Sequence, residues 1–183
     1  MESLPLTFAS GWASGVNCYL VVLVLGIADD VVGYEDIPDV LGRWDVLTIA
    51  GILYAMEFVA DKIPYVDSTW DLVSTLIRPT AGAVVGALLA GDVSADQPLD
   101  KIVLASVGGV TALLSHVVKG GVRLAVNTSP EPVTNIGISI LEDVVVFGVV
   151  AVAIQRPIIT AADGTTVIGR DPDALAEVIS AET

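Results

Sequence analysis

Five stretches of the chain are almost wholly apolar: Ala9 to Ala28, Val46 to Ala60, Leu72 to Ala90, Ile102 to Val118 and Val133 to Ile154. A helix needs about 20 such residues to cross the hydrocarbon core of a bilayer. The first, third and fifth stretches meet that length, while the second and fourth must extend into their polar ends, tilt little, or stop inside the protein. Between the first two, residues 29 to 45 are too polar to span, and Pro38 there predicts a short surface helix or an irregular loop. After Arg156-Pro157 the chain turns polar, and Asp171-Pro172 opens a short amphipathic helix with Leu175, Val178 and Ile179 on its apolar face. The pattern therefore predicts an all-α, polytopic membrane helical bundle over residues 1–157, with broken or re-entrant helices, followed by an acidic polar tail over 158–183. Trp12, Trp44 and Trp70 stand where three of the segments start, as interfacial tryptophan often does.

The polar residues inside these stretches are the main clue to function. Glu142 and Asp143 lie side by side in the middle of the last one. A carboxylate at a helix centre costs about 2.5–3.5 kcal/mol to insert, and each large apolar residue returns only about 0.3–0.6. Such a pair must be partnered, protonated or turned to a wet cavity, and an ionisable group inside the membrane is by default a functional one. Helical spacing supplies partners: Glu57 with Asp61, Asp71 with Thr75 and Arg78, Lys119 with Arg123, and Asn135 with Ser139 and Glu142 each share a face. Arg78 is expected within ion-pair or water-bridged reach of Glu142 or Asp143. The candidate transport or ion-binding residues are thus Glu57, Asp61, Asp71, Arg78, His116, Lys119, Arg123, Asn135, Glu142 and Asp143, with Asn17 and Ser139 as polar lining. The same charges read structurally as an ion-pair network that only fixes helix packing. His116, the one histidine, is either a proton relay or a satisfied bundle residue. Arg78-Pro79 is the expected site of a break in the third segment, because proline removes a backbone donor. Lys119-Gly120-Gly121 loosens the end of the fourth, and the connection from Asn127 to Pro132 reads as a re-entrant turn or a cap.

Composition agrees with the membrane reading: 54% of residues are apolar, 16% are charged and the mean hydropathy is +0.77. The net charge of −14 lies mostly outside the segments and argues against nucleic acid as a partner, leaving the lipid bilayer and a small ion or polar solute. An acid-coated surface also suits a high-salt, halophilic cytoplasm. Cys18 is alone, so no intrachain disulfide forms, and the first residues carry no basic leader. No cofactor is expected, since no phosphate loop, metalloprotease, nucleophile-elbow, haem or zinc pattern is present, and the type of any bound metal stays open. Gly11 with Gly15, and Gly82 with Gly86 and Ala90, form small-residue stripes for close helix approach, within the chain or in a homo-oligomer of two or three copies. The two hairpins built from segments two to five look weakly repeated. Lys and Arg are spread too evenly among the loops of five crossings to set an orientation.

The residues also carry a family resemblance. The run from Glu57 through Asp61-Lys62-Ile63-Pro64, Trp70-Asp71 and Ile77-Arg78-Pro79 resembles the signature of a prokaryotic integral-membrane family known as domain of unknown function 4126. Gly15 to Tyr19, Ser115-His116, Lys119, Arg123, Asn127, Ser129 to Pro132, Asn135 and Glu142-Asp143 resemble its other blocks, so the likeness runs from about Ser10 to Pro157. It implies a multi-pass protein of the cell membrane and no defined activity. Function is therefore read from the charges: a small channel or secondary transporter for an ion or small polar solute. A non-transporting scaffold is the alternative, and a membrane enzyme acting on lipid comes third.

Overall fold

A computed structural model describes residues 4–32, 37–63, 66–91, 98–127, 132–155, 159–160 and 166–167. Six helices follow in order: α1 (Leu4–Val32), α2 (Asp39–Gly42), α3 (Trp44–Ala60), α4 (Val66–Leu89), α5 (Pro98–Asn127) and α6 (Pro132–Gln155). Two strands of two residues each, β1 (Ile159–Thr160) and β2 (Thr166–Val167), pair antiparallel after the bundle. The predicted tail helix from Asp171 and the middle of the 127–132 connection lie outside the described residues.

Among the described residues, four helices are long and apolar enough to cross a membrane: Leu4–Val31, Thr69–Leu89, Leu99–Val126 and Val133–Gln155. The fourth apolar stretch of the sequence thus extends at both ends, whereas the second does not. At 17 residues, α3 is roughly 25 Å long, short of a hydrocarbon core of about 30 Å. It starts beside the second half of α1, where Gly26 faces the Leu41 carbonyl and Leu47, and its last turn carries Glu57 into the bundle interior.

The bundle is apolar outside and holds its charged residues inside, beside an apolar core. Leu72, Leu76, Leu114, Val118, Leu141 and Val144 all stay exposed along α4, α5 and α6. Aqueous surfaces do not tolerate apolar belts on this scale, whereas lipid does. α1 is the central helix, and Val21 and Leu25 on it belong to the same apolar core as Val146 and Val150 of α6. Trp12 sits two turns inside α1 and packs against that core, so it is no interfacial anchor, whereas Trp44, the first residue of α3, is largely exposed.

Glycine sets how closely α1 and α4 approach α5. A Cβ on Gly11 would come within 2.7 Å of Gly108 Cα, one on Gly82 within 2.6 Å of the Gly108 carbonyl oxygen, and one on Gly15 would strike Ser115 and the Ala112 carbonyl. Gly86 likewise faces the Leu104 carbonyl and Thr7. Both small-residue stripes are therefore used within the chain, and the glycines suggested for subunit contact are covered already.

The break expected at Pro79 is found elsewhere. α4 runs through Pro79 and α5 runs through Gly120-Gly121. α1 instead opens at Asn17, whose φ of −153° and ψ of 93° are extended, in the middle of the Leu4–Val31 span. Asparagine competes with the helix for backbone groups, and here Asn17 Oδ1 accepts the Leu20 N–H at 3.0 Å, capping the second half of α1. What makes the break tolerable in lipid is that the carbonyls it frees find donors.

Candidate functional site

Two of the donors are cations, and a hydroxyl caps a carbonyl one turn earlier. Lys119 Nζ of α5 donates to the Val16 carbonyl at 3.0 Å, Arg78 Nη1 of α4 reaches the Gly15 carbonyl at 3.4 Å, and Ser115 Oγ donates to the Trp12 carbonyl at 2.6 Å. Helix carbonyls next to a break carry partial negative charge, so a buried cation is their natural partner. The opening in α1 and the charged cluster are thus one structure.

Lys119 is the hub. Its ammonium lies 3.1 Å from Asp61 Oδ2, 3.4 Å from Glu142 Oε2, and 3.8 Å from both Glu57 Oε1 and Asp71 Oδ1. On one side Arg78 pairs with Glu57, and lies 2.9 Å from Asp71 Oδ1. That last approach is off the hydrogen-bond axis, so both Asp71 oxygens lack an aligned donor. On the other side Arg123 grips Glu142 in a two-pronged pair, Nε to Oε1 at 3.2 Å and Nη2 to Oε2 at 2.6 Å. Its Nη1 donates to Asn135 Oδ1 at 2.9 Å and to the Asp61 carbonyl at 3.1 Å, while Asn135 Nδ2 donates to that same carbonyl.

His116 is satisfied at both nitrogens. Thr75 spends its hydroxyl hydrogen on the Asp71 carbonyl, so at 3.0 Å from Thr75 Oγ1 the His116 Nε2 must be the donor. Nδ1 then accepts from Arg78 Nη1 at 3.0 Å. These contacts assign the Nε2–H tautomer and make His116 a prop for Arg78.

A second, less buried group adjoins the hub. Asp143 accepts from Asn17 Nδ2 at 3.1 Å and from the Tyr54 hydroxyl at 3.4 Å. Lys62 donates to Ser139 Oγ at 3.2 Å and sits over the Phe58 ring. Lys62 and Tyr54 were not among the sequence candidates. The helical spacing of Tyr54 and Phe58 with Glu57 and Asp61 was the available signal.

Every residue singled out from sequence thus falls in one neighbourhood: Asn17, Glu57, Asp61, Asp71, Arg78, His116, Lys119, Arg123, Asn135, Ser139, Glu142 and Asp143. The pairing differs from expectation in one respect. Glu142 is held by Arg123 and Lys119, and Arg78 takes Glu57 and Asp71 instead. Arg78 faces the end of α3, and that short helix puts Glu57 next to it.

The sequence profile of the DUF4126 family, described as a domain of unknown function, matches residues 4–166. The chain belongs to that family. The match covers all six helices of this DUF4126 protein and so the whole cluster. No curated protein and no solved structure matches it.

Among the described residues, Glu57, Asp61, Asp71, Glu142 and Asp143 face Arg78, Lys119, Arg123 and Lys62. Fully ionised, the cluster holds one more carboxylate than cation. Glu57 Oε2, Asp61 Oδ1 and Asp71 Oδ2 are buried with no hydrogen-bond partner. One added proton would balance the charge and give one of these carboxylates a donor.

Proposed function

We propose that this protein is a small secondary transporter for an ion or small polar solute, with the buried cluster as its coupling site. The observation that carries the reading is the opening of α1 at mid-membrane, its freed carbonyls held by Lys119 and Arg78 among carboxylates that outnumber the cations. Discontinuous helices with ion sites at their breaks are a recurring means of building transport sites at the bilayer midplane. Lys119 acts here as a tethered cation shared by four acids, so adding or removing one charge redistributes its contacts. That is a switch with several near-equivalent arrangements. A transporter fits better than an open channel, because the charges meet one another with most of the cluster buried.

The scaffold reading is favoured by Arg123, whose pair with Glu142 and whose bonds to Asn135 and Asp61 tie three segments firmly. Flux separates the two. Purified protein in liposomes is expected to raise permeability to at least one member of a panel of monovalent ions, protons and small polar solutes. Glu142→Gln is expected to cut that flux at least tenfold, while Arg43→Ala, in the exposed surface pair with Asp45, leaves it unchanged. A panel on which neither wild type nor Glu142→Gln moves anything would end the transport reading in favour of the scaffold.

A further inference from the structure

Thr7, Ser10, Ser14 and Asn17 follow at intervals of three and four residues along the first half of α1, and so lie on one face. All four are buried, at 0%, 0%, 0% and 1% exposure. Hydroxyls in membrane helices ordinarily satisfy themselves on the carbonyl four residues back. Thr80 does so at 2.7 Å on Leu76, Ser106 at 2.7 Å on Ile102, and Thr111 at 2.7 Å on Val107. Thr7 Oγ1, Ser10 Oγ and Ser14 Oγ have no hydrogen-bond partner at all. Three unmet hydroxyls in a row are costly inside a bilayer, and their order is informative. The row spans ten residues, about 15 Å of helix, or half the roughly 30 Å hydrocarbon core. It runs from the start of α1 to the break at Asn17, where Asn17 donates to Asp143. Beyond the break the unmet polar atoms continue as Glu57 Oε2, Asp61 Oδ1 and Asp71 Oδ2. Facing Thr7 on α4 is Gly86, packed so closely that a Cβ there would come within 3.1 Å of the Thr7 methyl, so at this end the row is closed by the α4 backbone.

We propose that this row is one wall of a hydrated access path, shut in the present conformation, that opens from the membrane face where α1 begins and leads water and protons to the cluster. All three hydroxyl oxygens are buried away from solvent, so this conformation is the closed one. Separation of α1 from α4 would admit a file of water, and each hydroxyl would then both donate and accept. A proton taken from bulk water would pass along that file, each oxygen gaining one hydrogen and releasing another, and end on a carboxylate of the cluster. The unmet hydroxyls destabilise the closed state and favour opening. The inference builds on the transport reading but fails or stands separately from it.

The test uses the full chain in liposomes, with Cys18→Ala removing the single cysteine. Ser10→Cys and Ser14→Cys are compared with Leu25→Cys, which is equally buried but lies two turns past the break, outside the path. The probe is a small, charged methanethiosulfonate reagent applied under an imposed pH gradient. The two row positions are expected to react at least tenfold faster than position 25, and from one side of the membrane. Equal rates at all three positions would overturn the path even if the wild type transports. Fast reaction at 10 and 14 in a protein that moves nothing would support the path while the transport reading falls. Should the cysteine variants fold poorly, the milder Ser10→Ala with Ser14→Ala supplies a second reading. It should raise the melting temperature, by removing unmet hydroxyls, and slow proton entry at least tenfold in liposomes loaded with a pH-sensitive dye. Unaltered proton entry in that variant would count against the path.

Discussion

Replacement of Lys119 by methionine is expected to destabilise the protein by about 3–5 kcal/mol, the usual effect of removing one partner from a buried ion pair. Methionine keeps the length of the side chain and removes its charge. Asp61, Glu142, Glu57 and Asp71 then lose their shared cation, and the Val16 carbonyl at the break in α1 loses its donor. The loss should appear as a lower midpoint in denaturant or thermal unfolding in mild detergent. Adding Asp61→Asn to Lys119→Met should recover part of it, because the second change removes a carboxylate that the first leaves uncompensated. A Lys119→Met protein as stable as wild type would show that the hub carries no net energy in the fold.

Gly15→Leu should be nearly as damaging, and for a different reason. Its first carbon alone would strike Ser115 Oγ and the Ala112 carbonyl, and the second of these is backbone that no rotamer can move aside. Overpacking ordinarily costs about 1–3 kcal/mol, and a backbone collision at the tightest crossing of α1 and α5 belongs at the upper end. The shift would also pull Gly15 and Val16 from Arg78 and Lys119. Unfolding of purified Gly15→Leu beside Gly51→Leu checks this, since Gly51 has open space around it. A pair of variants that melt alike would contradict the packing described.

The membrane-spanning architecture was readable in the hydrophobic pattern, and so was the membership of the cluster. Helical spacing says which polar residues share a face, and insertion cost says that those faces turn inward. The partners across helices were another matter. Arg78 was expected within ion-pair or water-bridged reach of Glu142 or Asp143, yet it pairs with Glu57 and Asp71 while Arg123 takes Glu142, because spacing along one helix carries no information about the depth at which its neighbour docks. The break was misplaced for a related reason. Pro79 is the stronger local breaker, but α4 stays helical where α5 packs closely against it, whereas Asn17 opens α1 because Lys119 and Arg78 wait for the carbonyls. The hydroxyl row at Thr7, Ser10 and Ser14 was legible in its spacing. Serine and threonine insert cheaply, and only the absence of their usual carbonyl partners sets these three apart.

The shortness of α3 also bears on which way the protein faces. With four full crossings, the start of α1 and the end of α6 emerge on one side of the membrane. The close approaches agree, since Gly108 of α5 meets Gly11 early in α1 and Gly86 of α4 meets Thr7. Lys62, Lys119 and Arg123 then no longer count as loop charges, since they lie in or beside the cluster. What remains is Lys101 in the first turn of α5, on the side where α1 begins, and the sequence that continues from the end of α6 adds Arg156 and Arg170, against Arg43 alone on the other side. The positive-inside rule, uninformative for five crossings, now expects the cytoplasm on that side. The file of hydroxyls would then open toward the cell interior, and Asp39 and Asp45 beside the start of α3 would face out.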